Sequence, residues 1–221
     1  MKKTIVKLLI PGIPYKTKHG GFGYCSVSLI SDGDDMILFD TGHYAVRNEV
    51  SKILEKYRIN KVFISHLHYD HCLNVDLFID RGIDVYVNKK EVKYLDKISR
   101  GDNYTFKFFN KIVDKKKLIL FDKEFNISKN VRVLKTYGHS AGHCSLTFQN
   151  GTKKYLVAGD AIKTYKDYRN IELADTKPYN YNQLVKTKRF IVDNFDVIIP
   201  GHSGIIEKGK KPLNRFNFFE F

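Results

Sequence analysis

The sequence predicts an α+β fold, a four-layer αββα sandwich made of two halves related by internal duplication and spanning residues 1–221 as one domain. Three observations predict it. Short apolar runs recur along the chain and end in an aspartate or a histidine beside loop-forming residues, the mark of buried strands that deliver polar groups to one edge. The same order of elements occurs twice: a hairpin ending in aspartate, an amphipathic helix, and a strand ending in histidine. Finally, 221 residues with 43% hydrophobic and 28% charged suit one well-buried globular domain and are short for two. Two such units bury their apolar faces by packing sheet against sheet, with helices covering the outside. Their strand-end loops then meet along one edge, where a site drawn from both halves belongs.

The elements follow in order. At the start, Ile5, Lys7 and Leu9 alternate with Val6, Leu8 and Ile10, the period of a strand. The segment superficially resembles a signal peptide, but Lys7 interrupts its apolar region and no small-residue cleavage site follows. Residues 16–23 read as a polar, glycine-rich loop containing His19. Residues 24–30 form a strand, Ser31 to Asp34 turn the chain, and residues 36–39 return as a buried strand that ends at Asp40. Val50, Ile53, Leu54 and Tyr57 recur at helical spacing, so residues 46–58 form an amphipathic helix. Residues 61–64 are the next strand, followed by a helix over 73–79, a short strand over 84–87 and a helix over 89–96. Residues 99–117 are polar, aromatic and basic without a clean period, and read as a loop or lid. Strands are expected at 118–121, 131–135 and 145–148, with Asn150-Gly151 as a type I′ hairpin signal and a return strand over 155–158. Leu184, Val185, Ile191, Val192 and Phe195 mark the second-half helix, and residues 196–199 the last strand, which ends in Pro200-Gly201-His202.

No apolar run approaches the roughly 20 residues a membrane span needs. Cys25, Cys72 and Cys144 are odd in number and lack CxxC spacing, so neither a disulfide framework nor a cysteine zinc site is indicated, and a reducing cytoplasm is expected. The net charge of +14 keeps a nucleic-acid partner open beside a small-molecule substrate. The lysines and arginines are nevertheless spread along the chain, with only short runs such as Lys115 to Lys117.

The chemistry concentrates after the strand at 61–64, where His66, His68, Asp70 and His71 stand close together. In an extended segment alternate side chains share a face, so His66 and His68 can meet one metal, while Asp70 and His71 reach a second where the chain turns. Imidazoles with a carboxylate suit zinc, and also iron or manganese. A histidine-rich surface loop that binds nothing is the plain alternative. It does not explain why His139, His143, Asp160 and His202 recur at matching strand ends, nor why six of the eight histidines belong to this set.

HLHYDH at 66–71, GHSAGH at 138–143, the Gly-Asp at Asp160 and the Pro-Gly-His at His202 together resemble the metallo-β-lactamase superfamily, over nearly the whole chain and in the expected order. The resemblance implies the αββα sandwich of that type, with a dinuclear site at its edge. On this sequence it implies that His66, His68 and His139 hold the first metal, that Asp70, His71 and His202 hold the second, and that Asp160 bridges the two. Asp40 and His143 are then expected to support the ligands from behind. Two zinc ions so placed supply hydroxide near neutral pH, which Asp70 orients toward a carbonyl or phosphorus. Ser65, Ser140 and Cys144 lie nearby but are not needed as nucleophiles.

Departures from defined subfamilies narrow the expectation to a cytoplasmic hydrolase of esters, thioesters or lactones, with phosphodiesters or nucleic acid second. The 19 residues after His202 are too few for the helical substrate domain of glyoxalase II. The long insertion of the RNA-processing nucleases is missing, and His68 stands where flavodiiron proteins carry a glutamate. Lys163 occupies the position at which acyl-homoserine lactonases place a tyrosine, and offers a cation to an oxyanion, carboxylate or phosphate. A persulfide dioxygenase with one iron held by two histidines and an aspartate keeps the same motifs and stands as the alternative chemistry. Substrate choice is expected to lie in the loops 16–23, 99–117 and 161–180.

Overall fold

Strands buried on both faces split their alternate side chains between two cores, and the central strands of this chain do so cleanly. Leu38, Val62 and Ile64 enter one apolar cluster with Val50, Leu95 and Phe109 from helices, whereas Ile37, Phe39 and Phe63 enter a second. Val157 and Ile199 join that second cluster, while Leu156, Ala158 and Ile198 join a third with Ile191 and Phe195. The three cores therefore separate four layers: helix, sheet, sheet, helix. Each fully buried aliphatic or phenyl side chain in them contributes about 1.5–3 kcal/mol.

The structure, a computed structural model, describes residues 3–14, 16–17, 20–21, 23–97, 103–174 and 177–210. The first half comprises β1 (Ile5–Ile10), the two-residue strands β2 (Lys16–Thr17) and β3 (Gly20–Gly21), β4 (Val27–Asp32), β5 (Asp35–Phe39), α1 (Arg47–Lys56), β6 (Lys61–Ile64), α2 (Tyr69–Cys72), α3 (Asp76–Ile79), β7 (Asp84–Asn88), α4 (Lys89–Lys97), α5 (Asn103–Lys111) and β8 (Leu118–Phe121). The second half comprises β9 (Arg132–Lys135), β10 (Cys144–Asn150), β11 (Lys153–Gly159), α6 (Tyr165–Arg169), α7 (Tyr181–Asn194), β12 (Val197–Pro200) and β13 (Ile206–Glu207). The sheets run β1-β4-β5-β6-β7-β8 and β13-β12-β11-β10-β9. In one, β4 and β5 pair antiparallel, and β6 returns parallel to β5 after α1. In the other, β10 and β11 pair antiparallel, and β12 returns parallel to β11 after α7. The duplication is thus present in the hydrogen-bonding pattern. Asp32 joins the halves by accepting from Thr4 Oγ1 at 2.8 Å and from Ser128 Oγ at 2.6 Å.

Three expectations are corrected. Within 99–117, residues 103–111 form α5 and Lys115–Lys117 a 3₁₀ turn, while 99–102 lie outside the described residues. Thr105, Phe108, Phe109 and Val113 are buried at helical spacing, a period that the interleaved lysines and aromatics obscure. The hairpin at 150–153 pairs Asn150 with Lys153, so its loop is Gly151-Thr152. Only Gly151 has positive φ, 61°, the type II′ pattern instead of type I′; β-branched Thr152 disfavours the left-handed conformation. Loop 161–180 contains α6, opened by a capping box in which Thr164 and Asp167 exchange side-chain and backbone bonds. His19 lies outside the described residues. Among the described residues no helix is long and apolar enough to cross a membrane.

Candidate metal centre

Strand β6 ends at Ile64, and the next residues run extended before α2 turns the chain, so His66 and His68 project together while Asp70 and His71 follow on the helical turn. His66 Nε2 lies 2.9 Å from His68 Nδ1, and His139 Nε2, from the loop after β9, lies 3.0 Å from the same atom. His139 Nε2 is also 3.3 Å from Asp160 Oδ2. Asp160 follows β11, and its other oxygen, Oδ1, lies 3.3 Å from His71 Nε2 and 3.2 Å from His202 Nε2 at the end of β12. Asp70 Oδ2 closes this second group, 3.3 Å from His202 Nε2 and 3.7 Å from His71 Nε2. The structure thus brings all seven expected ligands into two adjoining clusters, with one oxygen of Asp160 facing each.

These donors fit divalent cations. His71 Nε2, His202 Nε2 and Asp160 Oδ1 are buried and have no hydrogen-bond partner, an arrangement that costs about 1–3 kcal/mol per group unless a cation satisfies them. Burial, reinforced by the neighbouring imidazoles, holds His66 well below the usual histidine range; burial also holds His139 there, against the pull of Asp160. Both rings therefore keep their lone pairs. Around His71 burial also disfavours charge, but the carboxylates of Asp70, Asp160 and Asp40 outweigh it and push the ring well above its usual range. Burial alone would raise Asp160; His202, His71, Lys163 and His139 instead hold its carboxyl well below the ordinary value. The second cluster is an anionic pocket that calls for positive charge. Cys25 groups with Asp40 and His71, but burial pushes its thiol up to about 12, so it remains protonated.

Asp40 sits behind this pocket in a left-handed conformation, φ 60°, which costs a non-glycine residue of order 1–3 kcal/mol. Its neighbours over-determine it. The Asp40 N–H donates to Phe63 O at 2.9 Å, and its carboxylate accepts from Ser65 N and Ser65 Oγ at 2.8 Å each and lies 2.7 Å from His71 Nδ1. Ser65 is no nucleophile here: its hydroxyl spans Asp40 and His66 Nδ1, the latter at 3.0 Å. His143 also stands behind the ligands, with Nδ1 2.8 Å from Thr136 Oγ1, and burial lowers its pKa to about 3. Lys163 lies at the rim, its ammonium 3.8 Å from Asp160 Oδ2 and its side chain 21% exposed. Residues not singled out from the sequence also contribute. Glu91 of α4 reaches the loops carrying His66 and His139, and Asp167 with Lys188 braces the segment after Asp160.

Gly201 must be glycine for space. A Cβ there would collide with Asp160 Oδ1. Gly201→Ala is expected to cost about 1–3 kcal/mol by overpacking and to lower metal retention, read by thermal unfolding and metal content together.

The sequence pattern of the metallo-beta-lactamase superfamily matches residues 20–202, which contain both clusters. The chain belongs to that superfamily. Among solved structures, this member resembles a Staphylococcus aureus protein assigned as a metal-dependent hydrolase, at 17% identity and TM-score 0.72, covering 94% of each chain. An N-acyl homoserine lactone hydrolase with N-hexanoyl-L-homoserine at its catalytic metal centre matches at 17% identity and TM-score 0.71, covering 91% of this chain and 93% of that one. A Thermotoga maritima protein assigned as a metallo-beta-lactamase matches at 20% identity and TM-score 0.71, covering 93% of this chain and all of that one. These likenesses establish the fold. No curated protein matches the sequence.

Proposed function

We propose that the protein is a cytoplasmic hydrolase with a dinuclear zinc centre that cleaves an ester, thioester or lactone. The observation that carries this reading is Asp160, whose Oδ2 faces His139 and whose Oδ1 faces His71 and His202. His66, His68 and His139 would hold one ion, Asp70, His71 and His202 the other, and Asp160 both. Held there, two divalent ions would supply Lewis acidity and hydroxide near neutral pH.

The chain's own residues supply the rest. Asp40 accepts a hydrogen bond from His71 Nδ1 and so turns Nε2 toward the site. Asp70, whose side chain is 12% exposed against 3% for Asp160, is the carboxylate nearest solvent and orients the attacking water. Lys163 donates at the rim to an anionic oxygen of the substrate. The lactone hydrolase with product at its metal centre supports the carbonyl-substrate class. The +14 charge supports phosphodiesters, including nucleic acid, as the second class.

The test pairs metal analysis of the protein as isolated with a panel of thioesters, lactones and phosphodiesters. Close to two metal equivalents per chain, mostly zinc, are expected, and chelation should remove activity until zinc is restored. One tightly held iron, with oxygen uptake on a persulfide, would sink the hydrolase assignment.

A further inference from the structure

Glu91 lies on α4, a helix rich in lysine, and its carboxylate is buried, with the residue only 3% exposed. Among the described residues it has no cationic partner within ion-pair distance. Burying an unpaired carboxylate is costly unless hydrogen bonds satisfy it. Three do. Oε2 accepts from Leu67 N at 3.0 Å, and Oε1 accepts from Ser140 Oγ at 2.7 Å and from Gly142 N. None of these donors is a ligand, but each adjoins one or more of the histidines. Leu67 lies between His66 and His68, Ser140 follows His139, and Gly142 precedes His143.

We infer that Glu91 is the positioning residue of the first ligand cluster, fixing the distance between the loop that carries His66 and His68 and the loop that carries His139. The inference rests on the metal-binding reading of the site. To hold one ion, His66 Nε2, His68 Nδ1 and His139 Nε2 must all turn lone pairs to one point. Those atoms lie 2.9–3.0 Å apart across the His68 contacts, a like-signed arrangement that no bond among them can maintain once all three are ligands. The two loops come from opposite halves of the duplicated chain, and a single carboxylate spans them.

The second cluster has its own brace. Asp40 binds the His71 ring and, through the Ser65 hydroxyl, reaches His66 Nδ1, but among the described residues it makes no hydrogen bond to the His139 loop. Asp40 therefore holds a ring of the second cluster directly, whereas Glu91 is the carboxylate that ties the His66–His68 loop to the His139 loop. A merely structural glutamate would weaken both clusters together. A positioning glutamate weakens one.

Single-cluster backgrounds separate these outcomes. The full chain carrying His202→Ala keeps the first cluster, and the full chain carrying His68→Ala keeps the second. Zinc affinity is measured in each by competition with a chromophoric chelator, with and without Glu91→Ala, and circular dichroism checks the fold. Glu91→Ala is expected to weaken zinc binding about 10- to 100-fold in the His202→Ala background and to leave the His68→Ala background within about twofold. If Glu91→Ala does not fold, Glu91→Gln is read instead. It keeps the side chain's length but cannot accept from both loops, and a smaller loss confined to the first cluster is expected. Equal losses in both backgrounds, or none in the first, overturn the inference while leaving the metal centre standing. A wild-type chain that binds no zinc overturns both.

Discussion

Asp160→Ala is expected to abolish turnover of any true substrate, with a loss of at least about 10²–10³-fold in kcat, while the fold persists. The side chain sits between the two clusters and, among the described residues, makes no hydrogen bond that holds a strand in place; its Oδ1 is buried and unsatisfied without a cation. Alanine therefore removes the shared donor and the anion that draws charge to the site, and leaves β11 and β12 paired through their backbones. Circular dichroism and thermal unfolding should change little, whereas zinc content should fall below two equivalents. Asp160→Asn sharpens the reading, because it keeps the shape and loses the charge. Turnover near the wild-type rate in either variant would rule out a bridged centre.

The second large effect is on stability. Lys188 of α7 is 1% exposed, and its ammonium donates to Asp167 Oδ1 at 2.6 Å and to Leu173 O at 2.5 Å. The other Asp167 oxygen accepts from Thr164 N and Oγ1, so one buried cation ties the segment from Thr164 to Leu173 onto α7. Removing one member of a buried pair strands the other charge, and Lys188→Met is expected to cost about 3–5 kcal/mol. For a domain of this size that is roughly a 6–20 °C drop in Tm, measurable by calorimetry. The double replacement Lys188→Met with Asp167→Asn should recover part of the loss, since neither charge is then stranded and the amide oxygen can still accept from Thr164. No recovery would mean that the pair has another role. Because Lys163 precedes this braced segment, the single variant should also raise KM more than it lowers kcat for an anionic substrate.

Much of the molecule was legible in the residues alone. The strands could be read because apolar pairs such as Ile37 and Leu38, or Val62 and Phe63, alternate between two cores, a local pattern with a period of two. The proposed ligands could be read because histidines and aspartates at strand ends have few structural reasons to be there. Helix α5 was missed because its buried positions, Thr105, Phe108, Phe109 and Val113, are interleaved with other aromatics and lysines. Helix α6 was missed although Thr164 and Asp167 stand three apart, the spacing of a capping box.

By itself the sequence determined the layered fold, its duplication and the identity of the residues that converge at the edge. All of these are written in local periods and in rare residue types at fixed places. Only the tertiary structure decided what stands behind the ligands. Glu91 among the lysines of α4 has the look of a solvated helix face, and Lys188 on α7 has the same look. Each is buried because a partner distant in sequence completes it: Leu67 and Ser140 for the one, Asp167 for the other. No local pattern encodes such a pairing. A charged side chain is hidden only when the folded chain brings its counterpart, and that choice belongs to packing.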